Sequence, residues 1–285
     1  MTLGRLGVWY GLDRLDAAGV RDFARTVERL GYAALWYPEA RGYEAMTLGG
    51  YLLGATEKLM IGSSIANIYA RDAFTARRGT IGLNAMYGGR FMLGLGVSHK
   101  PMVEGIRGHV YDKPVPAMRA YLDTLQKDEG AVSDFPVVLA ALGPLMLKLA
   151  GARTQGAVPY NVTPRHTAEA KAILGPDKML AVEQKICLET DPARARAIGR
   201  AELLRYMGMP NYRNNWLRIG FTEADLEGGG SDAFIDAMVL HGDAATVRRG
   251  LDAHFAAGAT HVCVQPLHAE GDFASRDAAL KAIIA

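Results

Sequence analysis

Short apolar runs alternate along the chain with longer stretches whose apolar positions recur every three or four residues. The first run, "RLGVWY" at 5–10, reads as a strand. "LDAAGVRDFARTVERLGY" after it reads as an amphipathic helix that Asp13 or Asp16 can cap and Gly31 stops. The same rhythm predicts strands over 33–38, 59–69, 90–98, 136–142, 156–162, 179–189 and 261–267. Helices are predicted over 43–56, 71–87, about 116–127, 144–154, 163–174 and from 190 onward. Thr163-Pro164 and Asp191-Pro192 are cap-then-proline helix starts. Eight strands alternating with helices predict a parallel α/β sheet, closed as a (β/α)8 TIM barrel, with an open doubly wound sheet as the alternative. The length of 285 residues suits one domain over 1–285. The stretch 209–232, "MPNYRNNWLRIGFTEADLEGGGSD", breaks the rhythm. Its Asn-rich start and triple glycine predict an irregular lid or interface segment.

Composition narrows the function class. A formal net charge of +2 with no basic stripe argues against nucleic acid as a partner. No apolar run approaches the ~20 residues of a membrane span, and the N-terminus lacks the pattern of a signal peptide. Cys187 and Cys263 each lie inside an apolar run, which reads as buried free thiols in a reducing cytoplasm. None of the seven histidines has zinc-ligand spacing.

In a barrel the working residues collect where strands end. Those ends supply Glu39 and Tyr43 after the second strand and Ser64, Ile65 and Asn67 in the third. Gly96, Val97, Ser98 and His99 come from the fourth, and Ala140, Ala141, Leu142, Gly143 and Pro144 from the fifth. Tyr160 and Asn161 follow in the sixth, and Gln265 in the last. Glu39 and His99 are the proton-transfer types in this set. They can form an acid/base pair across one pocket; equally, Glu39 can cap the next helix and His99 can sit in a solvated loop. In "RFMLGLGVSHKP" the glycines Gly94 and Gly96 weaken a strand unless the backbone must lie close to something. "AALGP" runs from a strand through small residues into a helix, a turn that lets backbone N–H groups approach an anion. "SSIAN" has no glycine to turn on; a bulge there would push Ile65 toward the pocket, and ordinary strand continuation is the alternative. The chain has no GxGxxG, Walker or GxSxG motif. A Schiff-base aldolase is disfavoured because only Lys185, within the seventh strand, stands near an inner strand end.

These blocks together resemble the luciferase-like flavin and deazaflavin oxidoreductases, in the actinobacterial branch that uses coenzyme F420. The resemblance is carried by "LGYAALWYPEA", "LMIGSSIANIYARDAFTARRGTIGLNAMYGGRFMLGLGVSH", "VLAALGPLMLKLAGARTQGAVPYNVTPRHT", "PNYRNNWLRIGFTEADLEGGGSD" and "AGATHVCVQ". It implies a barrel with the cofactor at the C-terminal strand ends. It also implies a non-proline cis bond at Ser64-Ile65 behind the ring, Gly96 to Ser98 beside the ring, and the cofactor phosphate at Ala140 to Pro144. Asn67 and Tyr160 join the implied cofactor contacts. The family's sugar-phosphate dehydrogenases place a histidine and a tryptophan after strand two and an acid after strand four. This chain has Glu39, Tyr43 and His99 there, so the sugar-phosphate activity is not implied. The phosphate turn reads Leu-Gly where many relatives have Gly-Gly, and "QKDEGAVSDFP" is short for a substrate wall. The expectation is therefore an F420-dependent oxidoreductase with a small-molecule substrate, His99 and Glu39 as acid and base, Tyr43 on the substrate side, and a homodimer. An FMN-dependent monooxygenase using O2 and a partner reductase is the alternative, and a cofactor-binding protein without turnover the second alternative.

Overall fold

The computed structural model describes residues 3–127 and 135–285, so most of "QKDEGAVSDFP" lies outside it. The first half runs β1 (Leu6–Trp9), α1 (Ala17–Arg29), β2 (Ala34–Tyr37), α2 (Ala45–Ala55), β3 (Met60–Ser63), β4 (Ala66–Asn67), α3 (Ala73–Met86), β5 (Phe91–Gly96), α4 (Lys100–Gly105) and α5 (Pro114–Leu125). Then come β6 (Val137–Leu139), α6 (Pro144–Arg153), β7 (Gly156–Ala157), α7 (Pro164–Leu174), β8 (Met179–Cys187), α8 (Pro192–Met207) and α9 (Pro210–Arg218). A 3-10 helix (Ala224–Gly229), α10 (Asp232–Met238), β9 (Val239–His241), α11 (Ala244–Ala256), β10 (His261–Pro266) and α12 (Phe273–Ile284) complete the chain.

Every strand pairing is parallel, and β10 pairs with both β1 and β8, which closes the sheet into the expected barrel. Strand alternation divides the side chains between two buried faces. Val8, Leu35, Ile61, Leu93, Val182 and Val264 point outward under the helices. Trp9, Trp36, Met92, Val138, Ala181 and Cys263 fill the barrel interior. Trp36 fits there because Gly62 stands beside it: a Cβ on Gly62 would lie 2.4 Å from the indole. Lower in the barrel the Trp36 indole N–H donates to His261 Nε2 at 3.2 Å, while His261 Nδ1–H donates to the Gly4 carbonyl. Burial pushes the His261 pKa down to about 4.

Strand three divides in the way the resemblance implied, rather than continuing as a plain strand. Gly62 pairs with Met92 and Ala66 with Leu95, so four steps on one strand oppose three on β5 and one residue bulges out. The Ser64-Ile65 bond in that bulge is cis.

Several expectations are corrected. The segment 209–232 is not irregular: it holds α9 and the 3-10 helix, with Pro210 at the helix start and Trp216 fully buried. Tyr212, Trp216 and Ile219 follow helical spacing and pack with Phe234 and Ile235 into a separate apolar cluster above the barrel. The looser stretch after strand four contains α4, and β9 adds a strand along the edge of β8. Asp16 and Asp191 cap α1 and α8 through their side chains, whereas Thr163 occupies the cap position of α7 without a side-chain bond. No helix among the described residues is long and apolar enough to cross a membrane.

Candidate active site

The C-terminal strand ends surround a cleft of about 1450 Å3. Ser64, Ile65, Gly96, Val97, Ser98 and His99 line one wall. The glycines of β5 are required by the strand beside them. A Cβ on Gly94 would stand 1.9 Å from the Ser63 carbonyl oxygen, and one on Gly96 would stand 2.4 Å from Ile65 Cγ1. What lies against this stretch is the bulge, and Ile65 rests in the space Gly96 leaves. Gly94 itself does not line the cleft. Ser98 turns the chain out of the strand with φ 58°, the left-handed region that costs a non-glycine residue and clusters at functional sites.

His99 is half-buried, its ring centroid 5.8 Å from that of Tyr212. Burial lowers its pKa and a hydrogen bond with Asn211 opposes that shift, so its imidazole is neutral at pH 7. Glu39 does not join it as a free acid. The Glu39 carboxylate accepts N–H bonds from Ala45 at 3.2 Å and Asn67 at 2.8 Å, and it is ion-paired with Arg71, which donates to both oxygens. Its side chain is 3% exposed, so no oxygen remains to exchange a proton with a substrate. Tyr43 is absent from the cleft lining and donates its hydroxyl to the Leu15 carbonyl at 2.8 Å. Asn67 also stays out of the cleft: its Oδ1 accepts from the Tyr69 N–H and shapes the turn after β4.

Ala140, Ala141, Leu142 and Gly143 line the opposite side, while Pro144, the first residue of α6, does not. Gly143 caps α6 without a side chain, leaving the first-turn N–H groups open to a ligand. The Leu142 carbonyl accepts from His166 Nε2 at 2.9 Å. Asn215, on α9, reaches the cleft with its Oδ1 held by Arg218 at 2.8 Å; its Nδ2 is buried with no partner.

The floor is polar and aromatic. Tyr160 packs on Trp9, with centroids 4.8 Å apart. The Gln265 amide donates to Glu202 at 3.1 Å, so its carbonyl faces Tyr160 and accepts that hydroxyl at 2.9 Å. Tyr206 must then be the donor in its 2.8 Å bond to Tyr160. Beneath lies Lys185, 1% exposed, paired with Glu183 at 3.1 Å, donating to Asn161, and 4.1 Å over the Tyr160 ring. Burial lowers the Lys185 pKa and raises that of Glu183, and their mutual attraction opposes both shifts. Lys185 is outside the cleft lining, which removes the one Schiff-base candidate.

The structure therefore brings Glu39, Ser64, Ile65, Gly96 to His99, Ala140 to Gly143, Tyr160 and Gln265 to one cleft, with Glu39 already bonded to Arg71, and leaves Tyr43, Asn67, Pro144 and Asn161 outside its lining. Sequence reasoning missed Trp9, Tyr206, Asn211, Tyr212 and Asn215. The Tyr212–Trp216–Ile219 spacing was the available signal for α9, and with it for the side chains α9 carries into the cleft.

The luciferase-like monooxygenase family model matches residues 1–261. A Mycobacterium tuberculosis protein whose name marks it as a coenzyme F420-dependent oxidoreductase is 26% identical over 200 residues, which is 58% of this chain and 57% of that relative's length. An F420-dependent secondary alcohol dehydrogenase in complex with an F420-acetone adduct superposes with a TM-score of 0.75 at 15% identity, covering 98% of this chain and 99% of that one. The oxygenating constituent of 3,6-diketocamphane monooxygenase from Pseudomonas putida, in complex with FMN, gives 0.72 at 14% identity, covering 98% and 96%. These two likenesses concern the fold. With barrel, bulge and cleft in place, the match over residues 1–261 means that the chain belongs to the luciferase-like monooxygenase family.

Proposed function

We propose that the chain is an oxidoreductase that binds coenzyme F420 in the barrel-mouth cleft and moves a hydride between it and a small organic substrate, residues 1–285 acting as one domain. The observation that carries this reading is the shape of the cleft. One wall is a flat apolar edge made by Ile65 over Gly96, and the other ends at the open start of α6 beside the unpartnered amide of Asn215. A planar ring fits the first, and the phosphate of the same molecule fits the second. Ser64, Ile65, Gly96, Val97 and Ser98 would hold the ring, with Tyr160 in the floor. Ala140 to Gly143 and the first turn of α6 would hold the phosphate. The coenzyme supplies the hydride chemistry.

The protein's own residues handle the rest. His99, kept neutral by burial, takes or returns the proton that accompanies hydride transfer at the substrate. Tyr206 and Tyr212 exclude water from that side. Similarity to the mycobacterial oxidoreductase supports F420 over FMN. FMN remains the second reading because a neighbour of the same fold carries it. A homodimer and a cytoplasmic setting belong to the proposal; the two buried free cysteines suit the latter.

Fluorescence titration with F420 and, separately, FMN tests it. Micromolar or tighter binding of F420 alone is the expected result. Binding of FMN alone would move the activity to an oxygen-using monooxygenase, and F420 binding without turnover across a broad substrate panel would leave a carrier protein. On a substrate found by that screen, His99→Ala is expected to lower kcat by roughly a hundredfold or more while F420 affinity holds.

A further inference from the structure

We infer that Glu39 and Arg71 act as a positioning pair that fixes how far Ile65 projects into the cleft, and through Ile65 sets the fit of the flat ring. The inference rests on the cofactor reading above. Glu39 grips the bulge on both sides. Its backbone N–H donates to the Ile65 carbonyl at 3.3 Å, and its carboxylate accepts the Asn67 N–H at 2.8 Å. A second main-chain tie, at the bulge start, is the Ser64 N–H on the Tyr37 carbonyl, at 2.7 Å.

Glu39 is itself immobilised. Arg71 pairs with it and with Glu44, whose carboxylate caps α2, and the Glu39 and Arg71 side chains are 3% and 7% exposed. The Ala45 N–H fills the remaining position on Glu39. Tyr121 donates to the Arg71 carbonyl at 3.2 Å, which anchors the arginine from α5. Ile65 has no freedom to settle toward β5, because its Cγ1 already stands where a Gly96 side chain would be. Any loosening of the grip on residues 65 to 67 must therefore move Ile65 into the cleft or away from the ring face. A carboxylate is needed here for two reasons: it accepts backbone donors and it neutralises a buried guanidinium. Neither requires it to lose or gain a proton.

The test compares wild type with Glu39→Gln, Arg71→Lys, Ile65→Ala and the Glu39→Gln/Ile65→Ala double variant. Glutamine keeps the size and one acceptor but loses the charge; lysine keeps the charge and loses the fork. The measurements are F420 dissociation constant, melting temperature and hydrogen exchange of the Asn67 amide. Glu39→Gln is expected to speed Asn67 exchange and weaken F420 binding about tenfold, with Arg71→Lys milder. In the Ile65→Ala background the same substitution should still speed exchange and lower the melting temperature, yet leave F420 affinity unchanged. A purely structural role would instead give the same affinity loss in both backgrounds, which overturns the inference. Unchanged affinity and exchange with abolished turnover would also overturn it, in favour of a catalytic acid. If wild type binds neither F420 nor FMN, the cofactor reading fails, and the role assigned to Ile65 fails with it. Asn67 exchange then reports separately whether the grip exists.

Discussion

The two walls of the cleft are built from opposite kinds of bonding. On the side of β2, β3 and β5 the buried charged and hydroxyl groups that hold the bulge, Ser63, Glu39 and Arg71, all have partners. Ser63 Oγ donates to the Gly94 carbonyl at 2.9 Å and accepts the Gly94 N–H at 3.0 Å, while Glu39 and Arg71 satisfy each other and the bulge. On the side of α6 and α9, Asn215 keeps a buried amide nitrogen with no acceptor. An unmade hydrogen bond of this kind costs about 1–3 kcal/mol. A bulge whose buried polar groups are all bonded has one position and can serve as a reference surface. A wall with idle donors is completed by a ligand that accepts from them.

That contrast can be broken from either side. The largest effect is expected at the bonded wall. Gly94→Ala places a methyl 1.9 Å from a backbone oxygen that cannot retreat, and should cost at least about 3 kcal/mol, read as a lower denaturant midpoint at unchanged slope. Acid probes both sides at once through two buried histidines. His261 lies under the first wall against Trp36; His254, on α11, is held between Thr167 and Gln184 behind the second. Both have folded pKa values pushed down to about 4 by burial. The unfolded chain takes up protons first, near pH 6.5, so the stability these neutral rings provide is intact above that pH. It drains away between pH 6.5 and 4 and falls no further below. The loss is roughly 3 kcal/mol for each ring, measurable as unfolding free energy against pH, and His261→Gln should remove about half of it. The smallest effect on stability is expected at the idle amide. Asn215→Leu should change unfolding free energy by less than about 1 kcal/mol, because loss of the Arg218 bond to Oδ1 is offset by removal of the buried, unpaired Nδ2, while F420 binding weakens several-fold. A large destabilisation with unchanged F420 affinity would show that the amide serves the fold.

The barrel was legible because its signal is local. Each strand and helix announces itself in its own periodicity, and Asp16 or Asp191 caps a helix a few residues away. The bulge was only half legible: a strand passing into polar residues with no glycine to turn on allowed a bulge or a plain continuation, and the family resemblance favoured the bulge. Roles that depend on distant partners were not. Glu39 has the composition of a catalytic acid until Arg71, thirty-two positions away, is seen to occupy it. Gly94 and Gly96 signalled close approach correctly, but the approaching group was the neighbouring strand. The α9 helix was obscured by asparagines and arginines, residues that serve as partners to other groups: Arg218 reaches Glu169 on α7.

The strand β9 has a consequence for how this fold can change over time. Along one edge of β8, β7 covers Met179 and Leu180 and β9 covers Lys185 to Cys187. The chain thus leaves the barrel at the end of β8, builds α8, α9 and α10, and returns to the edge it left. Such a detour begins and ends at one place, so its length and content can be rewritten without disturbing the register of the strands beneath. The roof of the cleft is in effect a replaceable part, and new preferences for what enters it can be acquired by exchanging Leu188 to Met238 while the wall of β2, β3 and β5 stays as it is.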